Sequence, residues 1–129
     1  VVDLTTGHLT FCNAGHNPPV LVEKDGKAYY MDVCPNIPAG LFDGFKFEEQ
    51  EVESIDGKLL FLYTDGLTEA EDKEKEQYGD DKLIEELNGT VDLATREVVD
   101  AIGKTVLEHA NGAEQSDDLT MMAMKINVK

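Results

Sequence analysis

An α+β fold is predicted, on three observations. Two dipeptides able to take the positive φ values of a tight turn, Asp25-Gly26 and Asp56-Gly57, each separate a pair of strand-like runs. Two stretches in the second half carry apolar residues at helical spacing. The chain then closes on an alternating apolar run over residues 119–128, with the period of a strand.

Taken in order, residues 1–5 and 8–13 read as short strands joined by Thr6-Gly7. Residues 19–24 and 27–32 form a hairpin about Asp25-Gly26, and residues 45–52 and 58–64 form another about Asp56-Gly57. In the last of these strands Leu59, Leu60, Phe61, Leu62 and Tyr63 are apolar without a break, which requires cover on both faces. Between the hairpins, residues 33–44 are rich in Pro, Gly and Asn and form a long irregular connection.

Residues 68–77 are acidic and polar. Asp80 or Asp81 is placed to cap a short helix bearing Leu83, Ile84 and Leu87, stopped by Gly89. Asp92 is placed to cap a longer one, with Ala94, Val98, Ile102, Val106 and Ala110 as its stripe, Val99 and Leu107 widening it, and Asn111-Gly112 ending it. The final strand sets Met122, Met124, Ile126 and Val128 against Ala123, Lys125 and Asn127, and its length and apolarity predict a place inside the sheet.

Composition narrows the function. A hydrophobic content of 41% supports a packed core and is too high for a disordered chain. Eleven Lys and Arg against 27 Asp and Glu give a net charge of −16. A field of that sign repels phosphate backbones and anionic lipid and attracts divalent cations, so nucleic acid is not an expected partner. No apolar run approaches the ~18–20 residues of a membrane helix, and no signal peptide is legible in this segment. Cys12 and Cys34 make neither a disulfide framework nor a zinc set. Cys12 reads as a small buried hydrophobe, and reduced thiols point to a cytoplasmic protein. The chain opens on Val1, within a strand pattern, as an excised piece of a larger domain would.

Two acidic sites stand at strand ends. Asp65 follows the apolar strand and precedes Gly66, which allows a sharp turn and close approach. Asp117-Asp118 immediately precedes the last strand. Carboxylates brought together resist joint ionisation, and a hard divalent cation with a preference for oxygen relieves that penalty. A turn or helix cap is the commoner reason for an Asp at a strand end, so spacing alone does not establish a metal site.

Three motifs occur together and in order: Ala14-Gly15-His16-Asn17-Pro18-Pro19; Leu60-Phe61-Leu62-Tyr63-Thr64-Asp65-Gly66-Leu67-Thr68-Glu69-Ala70; and Gln115-Ser116-Asp117-Asp118-Leu119-Thr120. The set resembles the SpoIIE/RsbU-type branch of the PP2C-like metal-dependent protein serine/threonine phosphatases, over essentially the whole chain. The resemblance implies a PP2C-like β-sandwich flanked by helices (αββα). Residues 1–129 would be the C-terminal two-thirds of the domain, truncated at the N-terminus so that one helical layer is missing. It makes Asp65 and Asp117 metal ligands, with Asp118 as a further ligand or second-shell group and Gly66 shaping the turn beside them. Two Mg²⁺ or Mn²⁺ ions are implied in the intact domain. The implied reaction is hydrolysis of phosphoserine or phosphothreonine by a metal-activated water, and the implied substrate is a phosphorylated anti-sigma-factor antagonist of the STAS type. The family's Gly-Asp-aromatic-aromatic-Asp segment and the two helices after it have no counterpart here, and Pro38-Ala39-Gly40 stands where the family has Pro-Leu-Gly. With that segment absent, this chain alone is expected to bind the metal weakly, to hydrolyse little or no phosphate ester, and to satisfy uncovered apolar sheet by self-association, as a homodimer would, or by rearrangement. The alternatives are a non-catalytic phosphatase-like binding module in sigma-factor signalling and another acidic two-metal hydrolase.

Other residues have plain structural readings. His16 and Asn17 invite an acid–base or substrate-contact role, but Gly15, Asn17 and the two prolines also make a stiff turn. His8 and His109 read as surface or boundary residues. Glu69, Glu71, Asp72, Glu74 and Glu76 do not fit a calcium loop and read as a solvated mobile flap, placed beside the Asp65 turn where it could gate access. Met121, Met122 and Met124 read as core filler. Thr64 and Thr120 could buttress carboxylates or simply favour strand.

Overall fold

A computed structural model describes residues 1–34, 40–41, 43–44, 46–115 and 118–128. Five strands come first, then three helices, then a sixth strand: β1 (Leu9–Phe11), β2 (Val20–Val22), β3 (Ala28–Tyr30), β4 (Gln50–Val52), β5 (Leu59–Tyr63), α1 (Asp65–Thr68), α2 (Asp80–Leu87), α3 (Thr95–Ala110) and β6 (Met121–Lys125); the single turn α1 is added to the two helices expected. A 3₁₀ turn, Thr90–Asp92, links α2 to α3. No helix among the described residues is long and apolar enough to cross a membrane.

The main sheet runs β3-β2-β5-β6, antiparallel throughout, and β1-β4 forms a separate two-stranded sheet. Strand alternation divides the core into two. Val20, Val22, Leu59, Phe61 and Tyr63 face α2 and α3, meeting Leu83, Leu87, Val98, Ile102 and Val106. The opposite face carries Leu21 and Leu60, which meet Leu9, Met31 and Ile55, with Val52 and Phe11 packed beside them. The unbroken apolar run of β5 is thus buried from both sides, as its sequence requires. Helices, four-stranded sheet and two-stranded sheet are three of the layers of an αββα sandwich, with no second helical layer among the described residues.

The hairpin about Asp25-Gly26 forms as expected. Gly26 has φ +95°, and Asp25 accepts a hydrogen bond from the Lys27 amide at 2.9 Å. Its tip docks on the helical layer. The Ala28 amide donates to Asn88 Oδ1 at 2.8 Å, and the Tyr30 hydroxyl donates to the Asp80 carbonyl at 2.7 Å.

Several expectations need correction. The strands on either side of Asp56-Gly57 are not a hairpin: β4 pairs with β1, whereas β5 pairs with β2 and β6. The Asp56-Gly57 turn is captured by the last segment instead. Gly57 donates to the Ile126 carbonyl at 2.8 Å and the Asp56 carboxylate accepts from the Val128 amide at 2.7 Å. The expected pairing of residues 1–5 with 8–13 shrinks to a bridge between Val2 and Leu9. β6 ends the order of described strands and is not an interior strand, leaving Met122 54% exposed. Cys12 is exposed.

The helix caps differ too. Asp80 and Asp81 lie in the first turn of α2, with Gly79 at its N-cap, and Asp92 sits in the 3₁₀ turn, while α3 starts after Ala94. Acidic residues in a first turn still favour the helix through its dipole. The α3 stripe narrows to Val98, Ile102 and Val106, and Leu107 is 72% exposed. Of the irregular connection over 33–44, residues 35–39 and 42, Pro38-Ala39 included, lie outside the described residues.

Candidate functional site

Strand β5, buried at every residue but Leu62, delivers Thr64 and Asp65 to the rim of the sheet. Asp65 opens the single turn α1 with its side chain exposed, while Gly66, Leu67 and Thr68 behind it are buried. The anchor is therefore apolar and fixed, and the carboxylate projects from it into solvent. Tyr63, the last residue of β5, sits beneath this turn. Burial, reinforced by the charge of Asp80, pushes its phenol up to about 12, so it stays protonated and adds no charge there.

The second acidic turn meets the first at Gly66. A Cβ on Gly66 would lie 2.6 Å from the Asp118 carbonyl carbon and closer still to its oxygen, and 3.2 Å from the Leu119 nitrogen. Gly66 has no unusual φ: it is helical, and its role is to let another backbone segment approach. Thr64 fastens the contact. Its amide donates to the Thr120 carbonyl at 3.0 Å, the Thr120 amide donates to Thr64 Oγ1 at 3.2 Å, and Oγ1 lies 3.2 Å from the Asp118 carbonyl as donor. Thr64 thus buttresses the backbone of the second turn; no bond from it to a carboxylate is seen among the described residues.

The resulting cleft has a volume of roughly 370 Å³ and is lined by Gly15, His16, Asn17, Thr64, Asp65, Asp118 and Thr120. Asp65 and Asp118, far apart in sequence, share it. Asp117, the other expected ligand, lies outside the described residues. Among the described residues no group of three His, Cys, Asp or Glu side chains is gathered closely enough to hold an ion. The carboxylates and hydroxyls present are nevertheless the hard oxygen donors that Mg²⁺ and Mn²⁺ prefer, and they stand on a strongly acidic chain. The donor chemistry fits a divalent cation.

The opposite wall was the part that the sequence left undecided. The loop over residues 13–17 is stiff: the buried Asn13 side chain accepts from the His16 amide at 2.8 Å, Gly15 has φ +88°, and Pro18-Pro19 lead directly into β2. This holds His16 and Asn17 on the cleft, where they also border an apolar hollow of roughly 170 Å³ reaching Leu9, Phe11, Met31 and Leu60. The motif around His16 leaves a functional and a structural role both open, because its neighbours on the cleft arrive from two other segments.

The acidic stretch is not a loose flap over the site. Glu71 bridges to Gln77, and Asp72 Oδ1 accepts from the amides of Glu74 at 2.8 Å and Glu76 at 2.9 Å. The Glu76 amide holds the Asp72 carboxyl below its ordinary value. His109 Nε2 donates to the Glu76 carbonyl at 2.8 Å, tying this turn to α3, and none of its five acidic residues lines the cleft. His8 pairs with Glu51 on the surface, at 3.7 Å.

Known proteins share this fold. The family model described as Stage II sporulation protein E (SpoIIE) matches residues 1–127. Protein IcfG of Synechocystis sp. (strain ATCC 27184 / PCC 6803 / Kazusa) is 32% identical over 128 residues, covering 98% of this chain and 20% of that protein. The chain therefore spans about a fifth of that curated relative. Among solved structures, the RsbU and RsbW domains of a Mycobacterium tuberculosis protein match with TM-score 0.71 and 26% identity, over 98% of this chain and 34% of that one. The PP2C phosphatase domain with a regulatory fragment of the cell fate determinant SpoIIE from Bacillus subtilis matches with TM-score 0.78 and 24% identity, over 98% of this chain and 37% of that one. The fold is that of part of a PP2C phosphatase domain, and the chain belongs to the SpoIIE family.

Proposed function

We propose that this chain is part of a metal-dependent protein phosphatase domain that hydrolyses phosphoserine or phosphothreonine in a regulatory protein, an anti-sigma-factor antagonist of the STAS type. The observation that carries the reading is the meeting of two strand-end acidic turns at Gly66, which places Asp65 and Asp118 on one cleft. Family membership and the likeness to RsbU and SpoIIE domains support it. Asp65 and Asp117 would hold the cation, with Asp118 as a further ligand or a support. Bound divalent cations supply acidification of a water and screening of phosphoryl charge. The chain's own contribution is position. Strand β5 fixes Asp65, Thr64 fixes the second turn, and Gly66 permits their contact.

Two carboxylates are fewer oxygen ligands than a pair of hexacoordinate ions needs, so the remaining ligands would come from the rest of the domain. Residues 1–129 alone would bind Mn²⁺ weakly and release little phosphate. The test is Mn²⁺-dependent phosphate release from a phosphoserine protein by the intact domain. Asp65→Asn and Asp117→Asn are each expected to lower the rate by at least about a hundredfold, in line with losing an electrostatic group at a phosphoryl-transfer site. Rates unchanged in both variants would refute the ligand assignment. Rapid Mn²⁺-dependent turnover by residues 1–129 alone would refute the dependence on outside ligands.

A further inference from the structure

We infer that Cys12 and Cys34 are a redox-active pair, which peroxide closes into a reversible disulfide enclosing the β2–β3 hairpin. The site lies outside the acidic turns and does not depend on the phosphatase reading.

Three segments bring the two cysteines together. Cys12 directly follows β1, whose last residue, Phe11, stands opposite Gln50 of β4. Cα atoms paired in this way are about 4.5–5.5 Å apart. The Gln50 side chain then reaches the other cysteine's segment, donating to the Asp32 carbonyl at 2.9 Å and accepting from the Cys34 amide at 2.6 Å. One residue of β4 thus holds both the end of β1 and the backbone of Cys34. The two thiols also interact electrostatically. A hydrogen bond with Glu48 pushes the Cys34 thiol up, desolvation adds to this, and the charges of Glu48 and Cys12 add further. Cys34 belongs to no strand or helix, so its backbone can make the small adjustment that a disulfide's Cα spacing of about 4.4–6.8 Å requires.

Exposure assigns the roles. Cys12 is exposed and meets an oxidant first. Cys34 is half-buried and kept protonated beside Glu48, which suits the resolving thiol. Charge selects the oxidant: a chain of net charge −16 repels anionic disulfides but not neutral hydrogen peroxide. The Cys12 sulfur bonds to one peroxide oxygen as the O–O bond breaks, and the departing hydroxide takes the thiol proton to leave as water. The Cys34 sulfur then attacks the Cys12 sulfenic sulfur. The S–S bond forms as the S–O bond breaks, and the second hydroxide leaves as water with the Cys34 proton. Two thiols lose two electrons and peroxide gains them. A dithiol reductant restores both thiols and is itself oxidised to a disulfide. The closed form staples the segment leading into the 13–17 loop to the start of the 33–44 connection.

Tryptic cleavage after Lys24 and Lys27 separates the two cysteines, so the bridge is read by mass spectrometry as two linked peptides. In the metal-free intact domain treated with hydrogen peroxide, the link is expected to form at least about tenfold faster than in the same protein unfolded in urea, because the native chain holds the reacting groups near each other. Dithiothreitol should remove it. Dimedone, which captures sulfenic acid, should label Cys12 at least about tenfold more in Cys34→Ser than in wild type, where Cys34 resolves it. A link that forms no faster in the native than in the unfolded protein, equal Cys12 labelling in the two proteins, or links only between molecules would overturn the inference. The comparison of native with unfolded protein uses wild type alone, so it decides the matter even if Cys34→Ser fails to fold.

Discussion

Replacing Gly66 by Ala is expected to destabilise the protein by about 3 kcal/mol, the upper part of the usual range for forcing a methyl group into packed structure. On helix propensity alone the change would favour α1 by roughly 1 kcal/mol. Sterics win, because the obstacle is the backbone of Asp118 and Leu119, which has no side-chain torsion by which to swing aside. Accommodating the methyl group means pushing the second acidic turn away and loosening the bonds between Thr64 and the 118–120 segment. The same substitution at Gly103 is the control. There the new Cβ would lie 3.7 Å from the end of the Met121 side chain, an ordinary contact in the middle of α3. Gly103→Ala should stabilise by roughly 0.5–1 kcal/mol. Urea denaturation of the two variants measures both signs. Equal effects at the two positions would show that the acidic turns are not in contact.

Phe61→Ala should cost about 3–5 kcal/mol, the range for emptying a large buried side chain. Phe61 is fully buried at the centre of β5, its strand pairs with both β2 and β6, and its ring stacks on Tyr63 at 6.2 Å. A loss of that size is a large part of the stability of a domain this small. Leu107→Ala, on an exposed residue of comparable apolarity, should stay within about 0.5 kcal/mol in the same urea experiment.

Strand β5 and helix α3 also show what the sequence can and cannot reveal. The five apolar residues of β5 announce a strand covered on both faces, and that is how they are used. Leu107 has equally apolar chemistry but lies one residue, about 100° of helix rotation, beyond Val106 and so points off the buried stripe. Asp25-Gly26 and Asp56-Gly57 are the same dipeptide, each with a positive glycine φ, yet only the first closes a hairpin. A turn fixes the local bend. Whether the preceding strand returns beside its neighbour or crosses to the second sheet is decided by distant partners, here Ile126 and Val128 for the second turn.

The cleft is similarly divided. Asp65 stands out in sequence as a carboxylate at the end of an apolar strand. Its convergence with the 118–120 segment is written only in the close approach at Gly66, which no local pattern encodes. His16 stands in a motif that invites a functional role, but its place on the cleft comes from the fold of a loop around the Asn13 side chain.

The central claim is that Asp65 and Asp117 hold one cation site between two chain segments. Calorimetric titration of the intact domain with Mn²⁺ tests it most directly, comparing wild type with Asp65→Asn, Asp117→Asn and the hairpin-tip control Asp25→Asn. Each ligand substitution should weaken binding by at least the roughly 10–100-fold typical of losing a ligand's supporting partner, while the control leaves it unchanged. Wild-type affinity in both Asp65→Asn and Asp117→Asn would contradict the claim.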